Sequence, residues 1–376
     1  MTQISKLKEI ALVFLKLGFI SFGGPAAHTA MMEEEVVNRL KWMDRQHFLD
    51  LLGATNLIPG PNSTEMTMHC GHEQAGFPGL VVAGLSFILP ATLITGIVAW
   101  LYVTYGQLPD VKPFIYGIKP AVLAIIASAI LSLGRKAVKG TDTAILGGLV
   151  LGAGIAGINE IVALLTAGVA GTIYFYLKNK KQGKLSSVVP LLSLPVLSFT
   201  FSGISAIGLF WIFLKIGSVL YGSGYVLFAY LDAELVTRGW LSREQLMEAV
   251  AVGQFTPGPI LSTVTFIGYI LAGTKGAILA TAGVFLPSFI FVLILNPFIP
   301  KMRRSKIMSW FLDSVNVASV AVMASVLFSM SNDTLTDWRS VLIAAAGLLL
   351  IFRFKKISPV MLVTGGAGLG YILQLF

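Results

Sequence analysis

The chain has 376 residues, 55% of them hydrophobic and only 12% charged, against about 25% charged residues in a typical soluble domain. That balance excludes a soluble enzyme or binding module. The formal net charge of +9 does not signal nucleic acid, because the basic residues gather in short loops beside apolar helices, as they do when they set membrane orientation. The lone Cys70 excludes an intramolecular disulfide framework and a cysteine-based metal cluster, and neither metal nor cofactor is expected.

The first apolar stretch follows Lys6 and Lys8 and lacks a small-residue cleavage site, so it reads as an integral helix rather than a removed signal. It passes through Phe14-Leu-Lys-Leu-Gly18 to an interruption at Phe22-Gly23-Gly24-Pro25. In the polar segment that follows, Glu35 and Arg39 are spaced for an intrahelical ion pair on a surface helix. The competing role for Arg39, Arg45, Arg238 or Arg243 is to reach an anion pathway with a guanidinium fork. Ile58-Pro59-Gly60-Pro61 then breaks an apolar segment. Residues 79–104 and 114–133 are each long enough for a hydrocarbon core that needs roughly 20 residues.

The second half repeats the first at an offset near 198. Phe213-Leu-Lys-Ile-Gly217 echoes Phe14 to Gly18, Trp240 echoes Trp42, Pro257-Gly258-Pro259 echoes Pro59 to Pro61, and Leu286-Pro287 echoes Leu89-Pro90. Glu234 and Arg238 likewise echo Glu35 and Arg39, and apolar stretches recur at 276–295 and 307–330. Residues 1–177 therefore read as a first transporter repeat, 178–212 as a linker and 213–376 as a second repeat.

Loop charges relate the halves. Arg135, Lys136 and Lys139, then Lys178 to Lys184, are the basic clusters of the first half, whereas Lys301 to Lys306 and Arg353 to Lys356 are basic in the second. These clusters fall at non-equivalent loops; the counterpart of 135–139 holds Asp333 and Asp337 and no base. Corresponding loops must then lie on opposite sides, and the repeats are inverted. The apolar linker stretch 188–201, kinked by Pro190 and Pro195, supplies the odd crossing that inversion requires. The expected fold is an all-α polytopic membrane protein of two inverted-topology repeats with broken or re-entrant helices. It has 10–13 membrane segments, the full count being six, one and six and re-entrant Pro-Gly-Pro elements lowering it. The N-terminus is expected to be cytoplasmic and the C-terminus external.

Chemistry is expected where helices break, since irregular backbone at membrane depth survives only when buried in protein or facing a wet cavity. A helix restarting after Pro61, with Asn62, Ser63 and Thr64 in its first turn, offers free N–H groups and a positive dipole end to an anion. Pro257, Gly258, Pro259, Ser262 and Thr263 offer the same in the second half. Gly23 and Gly24, with Gly222 and Ser223 of Tyr221-Gly-Ser-Gly224, add a second pair of flexible interruptions. A single Pro-Gly-Pro reads equally as a simple kink; its recurrence at equivalent places favours a substrate site. Glu65, His69 and His72 share one helix face and suggest a proton relay. The alternative places both histidines among interfacial polar residues, and too few ligands surround them for zinc.

Phe14 to Pro25, Leu57 to Pro61, and Gly253-Gln-Phe-Thr-Pro-Gly-Pro259 leading into Thr265-Phe-Ile-Gly-Tyr269 together resemble the chromate ion transporter family in its long, two-domain form, over practically the whole chain. The resemblance implies an inner-membrane protein that exports chromate, with coupling to the proton gradient and sulfate as the related dianion. Asn62-Ser-Thr-Glu65 departs from the family pattern by placing an acid beside the anion site, which would repel substrate unless protonated. The reading is a secondary transporter of a tetrahedral oxyanion, with protons and membrane lipid as its other partners and a homodimer compatible with it. The alternatives are an uncoupled channel or permease for another small solute, and an intramembrane enzyme using Glu65 and His69, against which the duplicated breaks argue.

Overall fold

The computed structural model describes residues 2–22, 24–106, 108–179, 205–221, 224–295, 305–354 and 357–375. Gly23, Gly222, Ser223, the linker stretch 188–201 and most of its flanking basic residues lie outside them. Among the described residues every regular element is helical.

The first repeat begins with α1 (Gln3–Ile20), whose N-terminus is capped by Thr2. After Ser21 the chain turns at Gly24, which has φ of 82°, into α2 (Pro25–Glu33), with proline at its first position. A wide π turn, Glu34–Arg39, continues α2. α3 (Arg45–Thr55), capped by Asp44, runs to Pro59-Gly60-Pro61, after which α4 (Asn62–Tyr105) begins. α5 (Lys112–Ala137), α6 (Thr141–Ile155) and α7 (Glu160–Asn179) complete the repeat. The second repeats this order: α8 (Ala206–Val219), a 3₁₀ turn Gly224–Val226, α9 (Leu227–Leu231) with the π turn Asp232–Val236, and α10 (Arg243–Phe255). Then come a 3₁₀ turn Ile260–Ser262, α11 (Thr263–Leu295), α12 (Lys306–Thr334), α13 (Trp338–Arg353) and α14 (Pro359–Gln374).

α4 is not one rod. Ala75 and Gly76 leave the helical region, Gly76 with φ of 63°, and a Cβ built on Gly71 would lie 2.3 Å from the Gly79 carbonyl oxygen. Eight residues of straight helix span about 12 Å, so α4 is a hairpin. α11 folds back in the same way at Ala272 and Gly273, bringing Gly268 against Gly276. Lys6 Nζ donates to the Gln74 carbonyl (3.5 Å) and Gln74 Nε2 to the Trp42 carbonyl (3.3 Å). The start of α1, the end of the α2 segment and the hairpin tip of α4 therefore share one level. The α1–α2 and α3–α4 elements enter and return: the Pro-Gly-Pro elements are re-entrant. Each repeat thus has two re-entrant hairpins, the long return limb of the second and three further helices.

Among the described residues, five helical elements are long and apolar enough to cross a membrane: α4, α5, α7, Ile260–Leu295 and α12. The surface agrees, with Leu149 and Leu349 about 70% exposed as lipid-facing residues, while Thr64, Glu65, Thr67, Ser262, Thr263 and Ser288 are fully buried. Apolar burial gives helices little reason to associate in lipid, so close backbone packing holds them together. α5 of the first repeat lies against α14 of the second, where a Cβ on Gly117 would meet the Gly366 oxygen at 2.0 Å, and α7 lies against α12 through Gly168 and Gly171. The two halves interlace. Lys16 and Arg39 clasp the buried Glu35, and Lys215 (2.7 Å) and Arg238 (2.8 Å) clasp the buried Glu234. Arg45 is taken by Glu33, and Arg243 by Asp232 and Asp333. The intrahelical pairs read from the i, i+4 spacing are present, and these arginines are occupied by carboxylates.

Candidate functional site

The four breaks meet, and they meet crosswise. The Gly60 amide donates to the Leu220 carbonyl (2.7 Å), and the Gly258 amide to the Ser21 carbonyl (2.8 Å). Gly60 is equivalent to Gly258, and Ser21 to Leu220, so each Pro-Gly-Pro break is closed by the glycine-containing break of the other repeat. These two amides are thereby spent inside the protein. In the first turn of α4 the Thr64 and Glu65 amides return to the Pro61 carbonyl (2.8 and 3.0 Å), which leaves those of Asn62 and Ser63 without a backbone acceptor among the described residues. In the second repeat Ser262 N donates to Pro259 O (2.9 Å) and Thr263 Oγ1 to Ile260 O (2.7 Å). Ser262 Oγ also accepts from Thr95 of α4 (3.3 Å). His28, one turn into α2, lies 3.2 Å from the Ser21 carbonyl, bracing the other break.

Gly60 has φ of 142°, and a Cβ there would lie 2.0 Å from Glu65 Oε1 and 2.5 Å from Ser288 Oγ. Only hydrogen fits, and the conformation favours glycine. The Ser288 hydroxyl faces the Glu65 carboxyl, and neither makes a hydrogen bond of standard geometry elsewhere among the described residues. Glu65 has no ion-pair partner there either. Tyr221, at the glycine break of the second repeat, is buried within electrostatic reach of Glu65, and its carbonyl accepts from Ser319 of α12 (3.3 Å). At the equivalent place in the second repeat, Gly258 has φ of 89° and a Cβ there would meet the Cβ of Ala91 at 2.9 Å. Ala91 is the counterpart of Ser288, as Thr263 is of Glu65. The two pseudo-equivalent centres thus differ in polarity: an acid with a serine in one, a threonine and an alanine in the other.

His69 is buried one turn beyond Glu65, and His72 is half-buried in the last turn before Gly76. The three lie along the short limb of the α4 hairpin, from the meeting of the breaks towards its surface tip.

A polar pocket of about 310 Å³ adjoins the first break. Its walls include Asn56, Ile58 and Asn62 on one side and Ser305, Ser309, Asp313 and Asn316 on the other, and Asn62 Nδ2 donates to Asn56 Oδ1 (2.6 Å). The α12 residues form a stripe three turns long that starts at the helix end. Ser319, one turn further on, contacts Tyr221 beside Glu65. Ser288, Tyr221 as a neighbour of Glu65, and the α12 stripe were not singled out from the sequence. Ser288 follows Pro287, whose echo of Pro90 was visible, but its polarity gave no sign of whom it would face.

Broken helices meeting at the centre of two interlaced repeats, with buried polar groups at the junction and a polar recess beside it, define a multi-pass membrane protein with the architecture of a transporter. The family model for "Chromate transporter" matches residues 8–172 and 207–371, and the chain belongs to that family. It is 30% identical to a chromate transport protein of Cupriavidus metallidurans, over 97% of this chain and 93% of that one. It is 31% identical to a probable chromate transport protein of Synechococcus elongatus, over 94% and 92%. An uncharacterized transporter of Bacillus subtilis matches 48% of this chain over 93% of its own length, at 28% identity, so one repeat-length unit also occurs as a protein by itself. No solved structure matches the chain.

Proposed function

We propose that this protein is a secondary transporter that carries chromate or a sulfate-like dianion across the inner membrane by alternating access between residues 1–177 and 213–376, with proton exchange at Glu65. The observation that carries this reading is the crosswise closure of the breaks around Gly60, Glu65 and Ser288, next to a polar pocket that reaches Asn62. An oxyanion entering that pocket meets the amides of Asn62 and Ser63 at the N-terminus of the short limb of α4, where free N–H groups and the helix dipole favour negative charge. Asn56, Asn62 and Asn316 supply neutral amide donors.

Glu65 stands just behind that turn. A dianion beside an ionised carboxylate is opposed by like-charge repulsion, and beside a neutral carboxyl it is not. Anion and proton at this place therefore bind in linked fashion. His69 and His72 lead from Glu65 towards the hairpin tip and serve as the proton path. The distribution of the basic clusters supports a cytoplasmic N-terminus and an external C-terminus.

Purified protein in liposomes, loaded with a panel of oxyanions under an imposed pH gradient, tests the reading. Chromate and sulfate flux that rises and falls with the gradient is expected. Gradient-independent flux of chromate would remove the proton role, and no flux of any oxyanion would remove the transport assignment.

A further inference from the structure

At the second break the position equivalent to the inner wall of the first-break pocket is held by an ion-pair cluster. Asn316, at the inner end of the pocket, corresponds to Lys119, two turns into α5. Lys119 Nζ lies 3.2 Å from Glu244 Oε1 and 3.4 Å from Glu248 Oε1, both on α10, the helix that runs into the second break. The Tyr102 hydroxyl, from the long limb of α4, donates to the other oxygen of Glu248. The Lys119 side chain is 17% exposed and that of Glu248 10%. Three helices from both repeats are thus tied together where the other repeat has an open polar recess. The cluster joins a partly buried ammonium on a membrane helix to more carboxylate than it needs.

We propose that Lys119 is an anion-binding group of the transport path, masked in this conformation by Glu248 and Glu244, and that the oxyanion replaces these carboxylates when the recess at the second break opens. The proposal rests on the oxyanion-transport reading. Charged side chains inside membrane segments are costly and face partners or a wet cavity. Opening a recess between α5 and α10, equivalent to the one between α12 and α3, draws Lys119 away from Glu248. An ammonium with three donors is then left facing the cavity, and a tetrahedral dianion is suited to take the place of the carboxylates. The first-break pocket has the neutral Asn316 at this position, so the path would hold its anion by amides on one side and by an ammonium on the other. Glu248 is the internal stand-in for substrate, and the same contact closes the path when substrate is absent.

The test is chromate uptake into liposomes by wild type, Lys119→Arg, Lys119→Gln, Glu248→Gln and the double variant Lys119→Gln/Glu248→Gln, with KM and maximal rate measured separately. A charged hydrogen-bond donor lost from the anion predicts a KM about tenfold higher in Lys119→Gln, with Lys119→Arg close to wild type. Glu248→Gln removes the competitor and should lower KM. The double variant decides the matter, because it leaves no carboxylate of the Lys119–Glu248 pair unpaired and should fold even if Lys119→Gln alone does not. A purely structural ion pair is repaired by neutralising both partners, so a double variant with wild-type KM overturns the proposal, and a raised KM supports it. Absence of chromate flux in the wild type would count against the transport reading itself.

Discussion

At the scale of single residues, Gly60 is the tightest point of the junction. Gly60→Ala forces a Cβ into the Glu65 and Ser288 oxygens at a backbone conformation that disfavours side chains, and should cost about 3 kcal/mol from strain and overpacking together. Gly76→Ala has φ of 63° but open space around it, so it should cost only about 1 kcal/mol. Thermal unfolding in detergent compares the two, and equal shifts would argue against the packing at Gly60. Glu65→Gln is expected to keep chromate binding while losing the dependence of flux on a pH gradient. If Glu65 only joins two helices, the same change lowers stability and leaves the pH response intact. The sequence showed Gly60, Glu65 and the recurrence of the breaks because those are local patterns. It did not show Ser288 or Tyr221, since facing Glu65 depends on how two distant segments cross. Lys119 is a lone charge within the apolar stretch 114–133, and its signal is faint because one lysine barely alters the mean hydropathy of such a window.

At the scale of elements, the hairpins carry the fold. Their turns at Ala75-Gly76 and Ala272-Gly273 stand just before the apolar stretches 79–104 and 276–295, beside the polar His72-Glu73-Gln74 and Thr274-Lys275, and a polar break of that kind reads equally as a loop between two spans, so re-entrance was the lesser count. The Gly71–Gly79 contact is what gives the turn away. Close helix contact makes a second prediction. Gly117→Val places a branched side chain against the Gly366 oxygen and the Gly370 backbone, and should destabilise the α5–α14 pair by about 1–3 kcal/mol. A drop in the midpoint of thermal unfolding measures it, with Gly148→Val as the control because nothing lies within 4 Å there. Orientation is tested in a Cys70→Ala background. Lys136→Cys and Asp333→Cys sit at equivalent loops and should be labelled from opposite sides of the membrane, cytoplasmic for the first and external for the second. Labelling of both from one side would refute the inverted arrangement read from the loop charges.

For the whole molecule, interlacing means that neither half buries its helices alone. Residues 1–179 and 205–376 produced as separate chains should restore chromate flux when made together, whereas either by itself should show none and be degraded. That the crosswise packing was not foreseen follows from what a repeat reveals: it shows which segments correspond, and is silent on which of them touch. The exchange of hydrogen bonds between breaks has a further consequence, for how the protein comes apart. Opening one repeat strands the buried Gly60 or Gly258 amide of the other, at a cost of about 1–3 kcal/mol for each orphaned group, so partial unfolding of a single half is penalised at the centre of the other. The two halves should therefore melt as one cooperative unit. In hydrogen–deuterium exchange the Gly60 and Gly258 amides should be among the slowest in the chain, with matched rates, although they lie in what would otherwise be its least regular backbone.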